Sequence, residues 1–117
     1  MMNIRKVNQI LTAFADSHRL RIINLLNEKE LNVAEICQIL HSTQPNISKH
    51  LTRLRLTGIV RDKRKGRYAY YYLIKPGNKF YKQLLSSITE ELGDLEIFKK
   101  DIERLRKIER ELEINKD

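Results

Sequence analysis

The stretch from residue 43 to residue 73 restricts the fold of this 117-residue chain most, because an amphipathic helix runs directly into a basic hairpin. Thr43 is predicted to cap that helix, Pro45 lies in its first turn, where a missing backbone N–H carries no penalty, and Gly58 ends it. At about 100° per residue, one helix face is apolar and the other is polar. The two faces consist of Ile47, Leu51 and Leu54, and of Asn46, Lys49, Thr52 and Arg53.

Beyond this helix the sequence period changes from that of a helix to that of a strand. The segments IVRDKR and RYAYYYL predict two strands, with Lys65 and Gly66 at the turn between them. Three helices are predicted upstream, each beginning at an Asn or Asp cap: Asn3, Asp16 and Asn32. The order α-α-α-α-β-β-α predicts a mainly α fold with a small β-hairpin wing (α+β), that is, a winged helix-turn-helix with a long C-terminal helix.

Positive charge is concentrated on the fourth helix and the hairpin. Residues 46–75 contain nine Lys and Arg against a single acid, Asp62. Residues 1–75 carry net +9, whereas residues 76–117 carry net −1. The grouping favours DNA phosphate as the partner over a merely basic, soluble surface.

Length and composition indicate one soluble domain over residues 1–117. No apolar run approaches the roughly 18 residues that span a bilayer, so no membrane partner is expected. The first 20 residues lack the apolar core of a signal peptide. The single cysteine, Cys37, cannot form an intramolecular disulfide, which is compatible with the cytoplasm.

From about Lys79 to Glu113 the chain has no proline, and apolar residues recur in steps of three and four. This spacing predicts a long helix close to a coiled-coil seam, with Gly93-Asp94 as its one break. Such a helix would be about 50 Å long at ~1.5 Å per residue, so its apolar stripe needs a partner chain. The alternative is a helix that folds back on its own domain.

We therefore expect a homodimer in which residues 1–15 and 77–115 are the dimerisation helices. The expected contact residues are Ile4, Val7, Leu11, Ile88, Leu92, Leu95, Ile102 and Leu105.

Four blocks occur in the order and spacing of a known family: FADSHRLRIINLL, ELNVAEI, QPNISKHLTRLRLTGIV and GRYAYYYL. Over about residues 4–92 the chain resembles the ArsR/SmtB family of bacterial and archaeal winged-helix repressors. The resemblance implies a homodimer built on the first and last helices, with the fourth helix in the major groove. It also implies repression that an inducer relieves.

The chain departs from the metal-sensing members of that family. Their cysteines in the block matching ELNVAEI are replaced here by Asn32 and Ala34, so the thiolate pair for arsenite, cadmium or lead is missing. Residues 51–117 contain no His and no Cys for a zinc, cobalt or nickel site on the C-terminal helix. We therefore expect no metal and no cofactor, and the inducer stays unknown.

The remaining cysteine and histidines have local interpretations. Cys37 lies on the apolar stripe of the third helix, where it is a small buried hydrophobe or a one-thiol redox switch. His50 is expected to make a satisfied hydrogen bond or a phosphate contact. His18 and His41 are expected to be capping or surface residues.

The predicted DNA contacts divide into base-reading and backbone residues. Gln44, Asn46, Ser48 and Lys49 are expected at base edges, because amides can pair with adenine and lysine with guanine. Arg53, Arg55 and the wing are expected at phosphates or in the minor groove. The full predicted set is Thr43, Gln44, Asn46, Ser48, Lys49, Thr52, Arg53, Arg55, Lys63, Arg64, Lys65 and Arg67.

Three function classes follow. We favour a sequence-specific transcriptional repressor that binds inverted-repeat operators as a homodimer. The alternatives are a nonspecific DNA-compacting protein and an interaction module without DNA binding. A tyrosine platform for single-stranded nucleic acid is a weaker reading of YAYYY than packing of one strand face on the core. No glycine-rich phosphate loop or catalytic triad pattern indicates an enzyme.

Overall fold

The computed structural model describes residues 2–114, which form six α-helices, a π-helical turn and a three-stranded sheet. The helices are α1 (Ile4–Phe14), α2 (Ser17–Glu28), α3 (Val33–Leu40), α4 (Gln44–Thr57), α5 (Lys79–Ser86) and α6 (Glu96–Ile114). The strands are β1 (Leu31–Asn32), β2 (Val60–Lys65) and β3 (Tyr68–Leu73), and the π-helical turn is Ser87–Glu91. This architecture confirms the mainly helical winged helix-turn-helix fold. None of the described helices is both long and apolar enough to cross a membrane.

Helix starts follow the caps that the sequence predicts. The side chains of Asn3, Asp16, Asn32 and Thr43 each accept a hydrogen bond from the backbone N–H three residues later. The Asn32 cap is a full capping box, because the Glu35 side chain also accepts from the Asn32 backbone N–H. Gly58 ends α4 in the left-handed region at φ 83°, where a side chain would be strained.

The sheet contains one strand more than the sequence predicts. The two-residue strand β1 pairs antiparallel with β3, with Leu31 opposite Tyr71, and the strand order is β1-β3-β2. A two-residue strand is too short to show the alternation of apolar and polar residues that predicts a strand, so only its pairing with β3 defines it. The wing hairpin itself is as predicted, with Gly66 in the left-handed region at φ 63° in its turn.

The C-terminal segment is not one long helix. It breaks between residue 92 and residue 95, around the predicted Gly93-Asp94, and α6 folds back on its own domain. Phe98 and Leu105 of α6 are 2% and 1% exposed and belong to the same core as α2 and α3. Folding back is the alternative that the sequence left open, and it removes the need for a partner along most of this helix.

The residues predicted at a dimer interface divide into two groups. Ile88 and Leu105 are buried in the core of the chain itself, and Val7, Leu92 and Ile102 are half-buried. Ile4, Leu11 and Leu95 are exposed, at 74%, 44% and 46%. Ile88 and Leu105 are therefore core residues, and the exposed apolar surface among the predicted contacts lies mainly on α1.

Candidate nucleic-acid interface

Helix α4 is anchored on one side and open on the other. Ile47, Leu51 and Leu54 are each 0% exposed, so the helix has a fixed orientation on the core. On the opposite side, six of the predicted DNA-binding side chains are exposed: Thr43, Gln44, Lys49, Thr52, Arg53 and Arg55. These are side chains that the sequence predicts to face a DNA groove.

Two predicted base-reading residues are less open than expected. Asn46 and Ser48 are half-buried. The Asn46 amide donates to the Ser42 hydroxyl at 2.8 Å, which fastens the first turn of α4 to the loop before it. Asn46 therefore has a structural contact already, whereas Gln44 and Lys49 are exposed.

Behind α4, the Arg19 guanidinium joins three helices. Its Nε donates to the Ala13 carbonyl at 2.7 Å and Nη2 donates to the Thr12 carbonyl at 3.0 Å, both at the end of α1. Its Nη1 lies 3.2 Å from Nδ1 of His50 on α4. Because Arg19 belongs to α2, this one side chain fixes the position of α4 relative to α1 and α2.

His50 is held in a compact cluster at the same place. It is 5% exposed, its ring stacks on His18 with centroids 5.2 Å apart, and its Nδ1 is 3.7 Å from the Asp16 carboxylate. Burial lowers the pKa of His50 below its ordinary 6.5, although Asp16 acts in the opposite direction. The structure thus supports the hydrogen-bonded interpretation of His50, and a phosphate contact is blocked by its burial. His18 is a partner of His50 and not only a surface residue.

The cluster of Asp16, His18 and His50 also has the composition of a metal site, with ligand atoms within 4.8 Å of one another. The two imidazole planes are nearly parallel, at 7°, so their lone pairs do not converge on one point. The cationic Arg19 guanidinium also approaches the Nδ1 atom of His50. The arrangement is that of a structural cluster held by hydrogen bonds. To bind there, a metal cation would have to displace Arg19 and rotate the His18 ring.

The wing carries its cations on both faces of β2. Lys63 and Lys65 share one face, where they pair with Glu30 and lie 5.5 Å and 5.7 Å from the ring centroids of Tyr72 and Tyr70. Three predicted phosphate-binding residues are therefore not free in this structure, since Arg55 of α4 also has an acid, Asp62, 3.5 Å away.

The other predicted cations have no such partner in the part of the chain that the structure describes. Within residues 2–114, no carboxylate lies within 4.0 Å of the four cations Lys49, Arg53, Arg64 and Arg67. All four are exposed, on α4 and around the hairpin turn. They are candidate contacts for a polyanion, two on α4 and two at the wing tip.

The tyrosines of the wing do not form a stacking platform. Tyr71 packs against the core with Leu73, and burial raises the pKa of its hydroxyl. Tyr70 and Tyr72 lie beneath the two lysines, and Tyr68 is 54% exposed. Tyr81 of α5, which the sequence did not single out, donates to the Ile74 carbonyl at 3.2 Å and ties the base of the wing to α5. Burial raises its pKa to about 12.

Cys37 is half-buried on α3, and burial raises the pKa of its thiol. A raised pKa lowers the thiolate fraction on which nucleophilic reactivity depends. The environment of Cys37 therefore agrees with the packing interpretation better than with a redox switch.

Comparison with known proteins gives a consistent result. Residues 16–62 match the model of the "Bacterial regulatory protein, arsR family". An uncharacterized HTH-type transcriptional regulator of Methanocaldococcus jannaschii is 37% identical over 75 residues, which are 63% of this chain and 84% of that protein. The arsenical resistance operon repressor of Escherichia coli K12 is 41% identical over 66 residues, so the match spans 56% of each chain.

Among solved structures, a homodimeric winged helix-turn-helix DNA-binding domain from Mycobacterium bovis is similar with a TM-score of 0.64. The likeness covers 80% of this chain and 84% of that one at 24% identity, and it shows the fold. The fold of this chain therefore has a counterpart among solved structures.

Proposed function

The chain belongs to the ArsR family of transcriptional regulators, which are not enzymes, and we propose that it is a homodimeric, sequence-specific repressor of inverted-repeat operators. The observation that carries the proposal is the set of exposed cations on α4 and the wing tip that have no carboxylate partner among the described residues 2–114. Arg53 on α4 and Arg64 and Arg67 at the wing tip can meet the phosphates of one duplex together, and Lys49 is left for a base edge.

Base reading is assigned to the exposed side chains near the start of α4. Recognition helices present their N-terminal residues to the floor of the major groove. Gln44 and Lys49 are exposed there, and their amide and ammonium groups suit the edges of adenine and guanine. Asn46 contributes indirectly, by fixing the first turn through Ser42.

Dimerisation is assigned to α1 together with α5. Ile4, Val7 and Leu11 form one stripe of α1, and Ile4 is 74% exposed, which is unfavourable for a helix that remains uncovered. Two-fold symmetry then places the two copies of α4 about one DNA turn apart, and it requires an inverted repeat.

The inducer is proposed to act without a thiolate pair. Asn32 is 9% exposed and caps α3, and Ala34 offers no ligand atom, so the two positions cannot capture a soft metal ion. Arsenite and cadmium are therefore not expected to release DNA from this protein.

The test is selection of binding sites from a random duplex library, followed by mobility shifts with random DNA as competitor. A repressor enriches an inverted repeat with half-site centres ~10 bp apart, and its complex survives the competitor. Binding without enrichment would instead support nonspecific compaction. Absence of any shift would support the interaction module.

A further inference from the structure

Glu30 lies in the connection between α2 and β1 and reaches the wing. Its Oε2 is 2.9 Å from Nζ of Lys63, and its Oε1 pairs with Nζ of Lys65. The two lysines are 33 and 35 positions later in the chain, and they occupy the same face of β2 because they are two residues apart. One carboxylate therefore pairs with two of the wing cations.

The carboxylate is held in place by the sheet. The next residue, Leu31, is 1% exposed and pairs with Tyr71 of β3. The lysines are confined from the other side, since Lys63 lies over the Tyr72 ring and Lys65 over the Tyr70 ring. The two-residue strand β1 thus places an acid beside the wing.

We propose that Glu30 is an internal competitor of DNA phosphate, which holds Lys63 and Lys65 out of the DNA contact and leaves Arg64 and Arg67 as the phosphate-binding cations of the wing. This inference rests on the proposed DNA-binding function. It assigns to Glu30 the control of how strongly the protein binds DNA of any sequence.

The physical reason is that nonspecific affinity comes from the release of counterions from phosphates. A lysine that is already neutralised by a carboxylate must give up that partner before it can neutralise a phosphate. An exposed ion pair is weak on its own. Here, however, one carboxylate competes with phosphate for two lysines. Hydrogen bonds from Lys65, and next from Lys63, lower the pKa of Glu30, as expected for a carboxylate that stays paired.

The experiment compares Glu30→Gln with Glu28→Gln on a random-sequence DNA duplex between about 50 and 200 mM salt. Glu28 is the matched control, because it is the last residue of α2, two positions before Glu30, and its substitution removes the same charge. Its carboxylate pairs with Arg106 of α6 at 2.8 Å and not with the wing. We expect Glu30→Gln to bind more tightly at low salt, with a log–log salt slope steeper by about 1 to 2, since each added phosphate contact contributes about 0.9. Glu28→Gln should keep the wild-type slope.

A second comparison tests the lysines themselves. Replacing Lys63 and Lys65 by Ala should change DNA binding little in the wild-type background and should abolish the gain in the Glu30→Gln background. Equal losses in both backgrounds would show that the lysines contact DNA despite Glu30, and the inference would be overturned. If Glu28→Gln steepens the salt dependence of DNA binding as much as Glu30→Gln does, the effect is one of general charge and the inference is also overturned.

A measurement without DNA separates this inference from the function. NMR titration of the Glu30 carboxyl should give a pKa below its ordinary value, returning toward 4.5 in the double lysine variant. If that pKa is already ordinary in the wild type, the inference fails whatever the DNA result. If the wild type binds no DNA at all, the proposed function fails and the inference falls with it. Wild-type binding with an unchanged slope in Glu30→Gln overturns the inference alone.

Discussion

Arg21 and Asp101 form a two-pronged ion pair that joins α2 to α6 across 80 positions of the chain. Nε and Nη2 of Arg21 donate to the two carboxylate oxygens of Asp101 at 2.8 Å and 2.9 Å, and Asp101 is 0% exposed. The pair raises the pKa of Arg21, chiefly through the hydrogen bond. Weaker pairs lie at the edges of the same contact, such as Arg106 with Glu28. A buried ion pair thus joins α6 to α2 beside the apolar contacts of Phe98 and Leu105.

The first prediction concerns the stability of this contact. Arg21→Ala should lower the free energy of unfolding by about 3 kcal/mol, because it leaves a buried carboxylate without its main partner. The loss should fall at the lower end of the usual range, since Arg104 Nη1 remains 3.7 Å from Asp101. Urea unfolding measures the change. Lys100→Ala, which removes an exposed i,i+4 pair with Glu96, is the control and should cost well below about 1 kcal/mol. Equal effects of the two variants would contradict the assignment.

The second prediction separates base reading from phosphate binding. Gln44→Ala or Lys49→Ala should lose about 1–3 kcal/mol mainly on the selected operator, with relaxed preference at one position per half-site. Arg64→Ala with Arg67→Ala should weaken operator and random DNA by similar factors and flatten the salt slope by about one unit per lost contact. The two classes must differ in pattern and not only in size. If all four substitutions lower both affinities equally, α4 does not read bases.

The third prediction concerns the dimer. Light scattering at micromolar concentration should give twice 13.9 kDa for the wild type. Leu11→Lys on α1 should shift the mass toward the monomer, because it places a charge in the proposed interface. Leu112→Lys is the matched control, since Leu112 is 54% exposed on α6, outside the proposed contact. Dissociation by the α6 variant, with the α1 variant still dimeric, would place the interface on α6.

The fourth prediction follows from the lowered pKa of His50. A base whose pKa is lower in the folded state contributes stability that is present above its unfolded value of about 6.5 and is lost as the pH falls below it, because the unfolded chain binds the proton more readily. Thermal stability should therefore fall between pH 7 and pH 5.5, and this slope should be smaller in His50→Asn. His41→Asn is the control, because His41 is exposed and Asn tolerates its left-handed backbone. The idea would be refuted by a wild-type stability that rises on acidification.

The fifth prediction concerns metal ions. Arsenite, cadmium and zinc at low micromolar concentration should leave operator affinity unchanged, and Cys37→Ser should be nearly silent. The protein offers arsenite and cadmium no pair of thiolates to bind. Zinc would have to displace Arg19 from its contact with His50. Release of DNA by zinc that is absent in His18→Ala would show that Asp16, His18 and His50 do bind metal.

Short-range signals made much of this fold readable in advance. The caps at Asn3, Asp16, Asn32 and Thr43, the left-handed Gly58 and the hairpin turn at Gly66 each depend on a few neighbouring residues, so the amino-acid order is enough to locate them. The exposed faces of α4 and the wing were also predictable, because helix and strand periods place their cations.

Contacts between distant segments were decided only by the tertiary structure. The pairing of Glu30 with the wing lysines, the stacking of His18 on His50 and the Arg21–Asp101 pair each join residues 32 to 80 positions apart. The spacing of apolar residues in α6 was visible in the sequence. The same apolar stripe, however, could pack equally well on a partner chain or on the chain's own core. The choice of its own core involves the burial of Phe98 and Leu105 and the pairing of Asp101 with Arg21, and no local pattern encodes these long-range contacts.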